Sequence, residues 1–158
     1  RLEKGYRAWG TDLTTERTPL ESGLGFAVKT QGRDFVGKEA LLERASSKDA
    51  WSLDMVAIDC ARDMAPFYSH TIYAGDEPVG VVTSAAYGAR ICRTIGLAWL
   101  RPMSASGDGT MRTVEDTRTA QLQVSLLGQR VPLIPLSEAA YDPHNTKLKC
   151  DGGVRWHE

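Results

Sequence analysis

The chain has little cysteine, little histidine and no excess of charge of either sign. Its three cysteines, Cys60, Cys92 and Cys150, lie far apart, with neither C-x-x-C nor zinc-ligand spacing. That excludes a dithiol redox motif and a structural zinc site, and it predicts reduced thiols. Cys60 and Cys92 sit in apolar segments and are expected to be buried. His70, His144 and His157 are scattered and form no H-x-x-x-H or H-E-x-x-H pattern, so no metal site is expected. Nineteen basic residues against twenty acidic ones give a net charge of −1. A field able to hold phosphate backbones is missing, which argues against nucleic acid as a partner. No apolar run approaches the roughly 18 residues that span a bilayer, and the start lacks the apolar region of a signal peptide. The expectation is therefore no membrane and a cytoplasmic location, or the mitochondrial matrix in a eukaryote. Neither a G-x-G-x-x-G ahead of a helix nor a P-loop occurs. Ser84, in "VTSAAYG", lacks a G-x-S-x-G elbow and reads as a hairpin serine rather than a nucleophile. There is no internal repeat.

What is present suffices for one core. The chain has 158 residues, 42% of them hydrophobic, which leaves room for one complete domain and a piece of another. Leu2, Tyr6 and Trp9 recur at a spacing near three and four, consistent with a short helical turn or an irregular segment ending at Gly10. "TDLTTERTPLES" (11–22) is a loop with Pro19 inside it. "GLGFAVK" has strand composition. "DFVGKEALLERA" (34–45) predicts a helix with Asp34 at its N-cap and Leu41 and Leu42 on the apolar side, followed by a linker, "SSKD".

From Trp51 the texture changes to short β-branched or alternating runs punctuated by "AGDEP", "YGA", "SGDG" and "LGQR". That rhythm predicts an antiparallel barrel or sandwich over about 51–136. "YAGDEPVGVV" predicts a hairpin turning at Gly75 and Asp76. "ARDMAPFYSH" reads as a loop, and "RPMSASGDGTMRTVEDTRTA" as a long exposed connection. The tail shows no period, with Tyr141 as its one anchor.

The first nine residues are chemically dense. Arg1, Glu3, Lys4, Tyr6, Arg7 and Trp9 bring cations, a carboxylate and two amphipathic rings together, a set able to stack on a flat heterocycle and hydrogen-bond its edge. Composition alone favours an amphipathic element with the two rings half-buried.

The wording of two stretches adds to this. "RLEKGYRAWGTDLTTERTPLESGLGFAVK" with "GRDFVGKEALL" resembles the closing portion of the folate-binding domain of the aminomethyltransferase family, typified by the glycine-cleavage T-protein. The family's R-x-E segment, G-x-[DE]-[LI] step and [TP]-x-E turn correspond to Arg1 with Glu3, Gly10 with Asp12 and Leu13, and Pro19 with Glu21. The wording is nearest to the tetrahydrofolate-binding half of the dimethylglycine and sarcosine dehydrogenases or oxidases. "AGDEPVGVVTSAAYGARICRTIGLAWLRP" resembles the family's C-terminal barrel, with Ala85 where the T-protein usually has glycine. Should that position need positive φ, alanine would be disfavoured.

The resemblance implies a mainly β chain with some α. Residues 1–48 would be the C-terminal end of an α/β folate-binding domain, 49–145 a small antiparallel Greek-key-like β-barrel, and 146–158 a tail. It also implies that the chain starts inside the folate-binding domain. The family moves a one-carbon unit: an amine-bound methylene, left as an iminium when a flavin domain oxidises an N-methyl group, is captured by N5 of tetrahydrofolate. Orientation, a carboxylate and exclusion of water are the physical demands. The family's key aspartate and its pterin-reading glutamate come from earlier in the domain, so no catalytic residue is assigned here, and the chain alone is expected to be inactive. FAD would belong to an upstream domain. Arg1 corresponds to an arginine at the folate pocket. Tyr6 and Trp9 are candidates for its wall, Arg90 and Arg101 for contacts to the glutamate tail, and Glu3 for an internal partner of the segment. Asp12 and Glu21 remain open between loop capping and ligand contact. The expected partners are a folate, an amine substrate, the rest of a parent chain and, for the isolated chain, another copy of itself. Alternatives are a non-catalytic folate-binding or scaffold barrel and a sulfur-methyl demethylase of the same fold.

Overall fold

The computed structural model describes residues 1–104 and 113–147. Cys150, His157, most of the predicted tail and the "SGDG" part of the long connection lie outside the described residues.

Six strands close into an antiparallel barrel: β1 (Ser52–Ile58), β2 (Thr71–Ala74), β3 (Glu77–Gly88), β4 (Arg93–Leu100), β5 (Leu122–Leu126) and β6 (Gln129–Leu136). Their order around the ring is β1-β4-β3-β2-β5-β6. β2, β3 and β4 follow one another, and β1 lies beside β4 rather than β2, which is the Greek-key arrangement expected. The "AGDEP" hairpin is present, with Ala74 opposite Glu77 and Gly75 at φ 61°.

Alternation decides what fills the ring. Val56 and Ile58 of β1 and Ala98 and Leu100 of β4 join Ile72, Val124 and Leu133 in the interior core. The opposite faces of the same two strands, Leu53, Met55, Ile95, Leu97 and Trp99, are also buried, under Leu2, Leu13, Trp51 and Leu136. β1 and β4 therefore read as nearly continuous apolar runs because both faces are covered. Two register shifts in β3, opposite Ile72/Tyr73 and at Val82/Ser84, turn Val79, Val82 and Ala85 inward at a spacing of three. Ala85 lies within β3, outside the positive-φ residues, and pairs with Gly96. The strain anticipated for an alanine there is absent.

A helix, Val114–Thr119, packs Val114 against the interior core, inside what the sequence suggested was only an exposed connection. It is α2 in chain order, after α1 (Lys38–Ala45). Thr113 and Asp116 form a reciprocal capping box at the start of α2. Arg118 grips Asp54 of β1 through Nε (2.7 Å) and Nη2 (2.6 Å) and also reaches Ser52 Oγ and Glu115.

Residues 1–50 wrap the outer face. A 3-10 turn over Leu2–Lys4 ends at Gly5 (φ 69°), earlier than the predicted Gly10. "GLGFAVK" is not a strand: Gly25–Ala27 form a 3-10 turn, with Phe26 87% exposed. The closed ring offers no edge for that segment to pair with. α1 has Gly37 rather than Asp34 at its N-cap; Asp34 instead pairs with Lys38 at 3.0 Å. Leu42 and Val36 face outward. Cys60 is half-buried against the interior core, whereas Cys92, expected to be buried, is exposed in the β3–β4 turn with φ 52°. Among the described residues no helix is long and apolar enough to cross a membrane.

Candidate functional site

A single carboxylate ties the opening segment to the barrel. The turn from Ala8 to Leu13 closes through Asp12 N–H and Leu13 N–H to Ala8 O, both at 3.0 Å, and Gly10 N–H to Leu13 O at 2.8 Å. Gly10 supplies the positive φ of 91° that this reversal needs. The turn drives Asp12 against β3, where it is completely buried. Its Oδ2 accepts from Ala8 N–H (2.8 Å) and Arg1 Nη1 (2.9 Å), and its Oδ1 from Thr83 Oγ1 and Ser84 Oγ, both at 2.6 Å. Two adjacent β3 residues reach one oxygen because the strand is bulged there, which breaks the up-and-down alternation of a regular strand. These four hydrogen bonds, one of them from a guanidinium, offset the cost of burying the carboxylate.

Arg1 is the exposed end of this network. Nη1 also donates to Tyr6 O (2.9 Å), and Nη2 donates to Ser84 Oγ (2.8 Å), so the guanidinium is held at both nitrogens. The remaining Nη2 hydrogen and Nε–H have no partner among the described residues. Arg1 borders a cleft of about 480 Å³ whose other walls include Ser84, Tyr87, Phe67 and Tyr68. Phe67 and Tyr68 are 79% and 60% exposed, an apolar rim open to solvent. His70 fixes that rim, since Phe67 N–H donates to its Nδ1 at 3.0 Å and Val82 N–H donates to its carbonyl at 2.9 Å.

Glu3 docks the first turn on the β3–β4 connection by accepting from Arg90 N–H at 2.8 Å, the internal role expected of it. Gly88 is required beneath it: a methyl there would lie 3.1 Å from Glu3 Oε1 and 2.8 Å from Ile91 Cγ1.

The other sequence-derived residues disperse. Tyr6 (59% exposed) and Trp9 (74%) stand on the surface and do not line the cleft. Arg90 is exposed and contributes its amide. Arg101 lies outside the cleft lining, bound to Glu77 (3.1 Å) and to the carbonyl of Pro78 (2.6 Å), where it braces the start of β3. The sequence pointed to Arg1 but not to the rim of Phe67 and Tyr68. Their only signal was two rings in a Pro-interrupted loop.

Glu21, 6% exposed, is a second anchor. It accepts from Arg44 of α1 (3.0 and 3.2 Å), Trp51 N–H (3.0 Å) and Thr18 N–H (3.0 Å) and Oγ1 (2.9 Å). Burial alone would push this carboxyl up. The amides of Thr18 and Trp51, the Thr18 hydroxyl and Arg44 outweigh burial and hold it below the usual range. Among the described residues no group of three or more His, Cys, Asp or Glu could hold a metal ion.

Residues 53–142 match the family described as the glycine cleavage T-protein C-terminal barrel domain. Human mitochondrial dimethylglycine dehydrogenase is 30% identical over 157 residues, covering 97% of this chain and 17% of the relative. An aminomethyltransferase of Listeria monocytogenes serotype 4a (strain HCC23) is 35% identical over 99 residues, covering 62% and 27%. The mitochondrial pyruvate dehydrogenase phosphatase regulatory subunit of mouse is 31% identical over 135 residues, covering 82% and 15%. The crystal structure of the glycine cleavage system aminomethyltransferase T from Bartonella henselae superposes with a TM-score of 0.73 at 19% identity, over 90% of this chain and 37% of that one. The chain thus spans about a sixth to a quarter of the curated relatives it matches.

Proposed function

Because the chain belongs to the family of the glycine cleavage T-protein C-terminal barrel domain, we propose that it forms the C-terminal part of a tetrahydrofolate-dependent enzyme that takes a one-carbon unit from an N-methyl or aminomethyl group. In this reading residues 1–48 complete a folate-binding domain and 49–145 are its barrel companion. The supporting observation is the clamped Arg1, whose free N–H groups border an aromatic-rimmed cleft.

The residues present fit part of a folate. Arg1 offers hydrogen-bond donors in a fixed plane, and Phe67, Tyr68 and Tyr87 offer ring faces. Tetrahydrofolate, when bound, supplies the nucleophilic nitrogen that accepts the one-carbon unit. This chain's share is orientation: Asp12 and Ser84 hold the guanidinium before any ligand arrives, so little side-chain entropy is lost on binding. With a ligand seated against them, the rim residues would cover one side of it, which would help to protect an iminium from hydrolysis. The mitochondrial names of two relatives support a mitochondrial location if the source is a eukaryote.

Calorimetric titration of tetrahydrofolate into this chain, alone and joined to whatever sequence precedes it in its gene, tests the reading. Binding by the longer protein should weaken ten- to a hundredfold on Arg1→Ala. Absence of binding by the wild-type longer protein overturns it. A relative named as a regulatory subunit favours, as a second reading, a non-catalytic barrel. Folate binding without turnover of N-methylated amines would select it.

A further inference from the structure

A second cleft, of about 410 Å³, shares no lining residue with the first. Three cations border it, Lys4, Arg7 and Arg118. Two of them are engaged. Lys4 Nζ donates to Asp142 O (2.5 Å) and Asn145 Oδ1 (2.7 Å), and Arg118 is bidentate on Asp54. Arg7 differs. Among the described residues its one hydrogen bond runs from Nη1 to Gly5 O at 3.2 Å, and it has no ion-pair partner there. Its Nε–H is buried and unmatched. Gly23 makes room for it: a Cβ at that position would fall 2.7 Å from Nη2, and φ there is +69°.

A half-buried guanidinium with most of its donors idle is costly unless something pairs with it. Burial pulls Arg7 below the ordinary arginine value in spite of the fields of Asp12 and Asp54, so those carboxylates do not compensate it. The planar fork of a guanidinium matches two oxygens of one carboxylate or phosphate. Two features of the cleft choose between these. Asp54 and Glu138 also line it, which penalises a dianion, and Leu20, Met55 and Leu136 give it an apolar wall.

We propose that the Arg7 cleft is a binding site for a small organic carboxylate, its two oxygens on the Arg7 guanidinium and its short hydrocarbon chain against Leu20, Met55 and Leu136. The site is independent of the folate reading, because the first cleft and Arg1 play no part in it.

The test is a ¹H–¹⁵N NMR titration of the 158-residue chain with sodium propionate, following the Arg7 Nε–H resonance. Sodium chloride and sodium phosphate serve as controls at matched ionic strength. The expected result is a saturable shift with propionate, at least tenfold weaker apparent affinity for phosphate, and no saturable shift with chloride. Arg7→Gln should abolish propionate-dependent thermal stabilisation while leaving stability in anion-poor buffer equal to or above wild type, since an uncompensated buried charge has been removed. A purely structural arginine would instead lose stability on that substitution with no change in response to propionate. Identical behaviour with chloride, or equal or tighter binding of phosphate, overturns the carboxylate site. The wild-type titration decides the matter even if Arg7→Gln does not fold.

Discussion

Thr83 Oγ1 donates to Asp12 Oδ1 at 2.6 Å and to Leu97 O at 3.1 Å, so one buried hydroxyl hydrogen is shared between the opening segment and the backbone of β4. Thr83→Val keeps the shape of the side chain and removes that hydroxyl. Asp12 would retain three of its donors, and the expected loss is about 1–3 kcal/mol of stability. Asp12→Ala should cost more, about 3–5 kcal/mol, because four groups lose their acceptor together. Urea denaturation of the two variants checks the order; an equal or smaller loss for Asp12→Ala would contradict the network.

Acid should loosen the wrap around the barrel. The folded-state value of Glu21 lies below its ordinary value, so its contribution is present above the unfolded-state pKa and is lost as pH falls through the folded one. Glu77, which accepts from Ser104 and Arg101, is depressed in the same sense. Stability measured by urea midpoint should be flat near neutrality and decline below about pH 4.5, where an unfolded glutamate begins to protonate. Glu21→Gln should be less stable at pH 7 and show a shallower decline. An unchanged slope would mean that other carboxylates dominate.

Arg118 and Asp54 make a partly buried pair in which the carboxylate depends on the arginine. The Arg118 guanidinium is raised above its ordinary value, first by its hydrogen bonds to Asp54, against the effect of burial. Arg118→Leu strands Asp54, whose side chain is 9% exposed, and should cost about 3–5 kcal/mol. Adding Asp54→Asn should recover part of that loss. A double-mutant cycle with no recovery would show that α2 is held by its other contacts, such as Thr117 Oγ1 to Arg101 O.

Gly96 and Ala85 face each other across β3 and β4, and the alanine methyl occupies the space the glycine leaves. A methyl on Gly96 would lie 2.5 Å from Ser84 O and 3.3 Å from Ala85 Cβ. Gly96→Ala should therefore destabilise by about 1–3 kcal/mol. Because Ser84 carries part of the Asp12 network, Ala85→Gly in the same background should restore only part of the loss. Thermal unfolding of the single and double variants measures this.

The barrel was legible in the sequence because its signals are local. Strand-forming runs such as Ser52–Ile58 and the Gly75–Asp76 turn announce themselves within a short window. The wrap was not, for a physical reason. "GLGFAVK" has strand composition, but composition cannot say that the sheet beside it has already closed. The exposure of Cys92 follows from a turn conformation that its apolar neighbours do not reveal. The start of α2 is marked only by the pairing of Thr113 with Asp116, and in a run of polar residues that pairing does not stand out. Of the candidate site, Arg1 was singled out through its motif, and it borders the cleft. Asp12 was seen but left between two roles, and its junction with Thr83 and Ser84 depends on a bulge that no periodicity encodes.

A closed ring of strands has one further consequence, for the order in which the molecule comes apart. Residues 1–50 add no strand to the barrel and are secured at Asp12, at Glu21 and by Leu2 and Leu13 over the outer apolar cluster. The ring keeps every one of its ladders when that wrap lifts away. Amides of Ala8, Asp12 and Leu13 should then exchange with solvent through a partial opening, at a lower free energy than those of β1 and β4, which wait for the whole molecule to unfold.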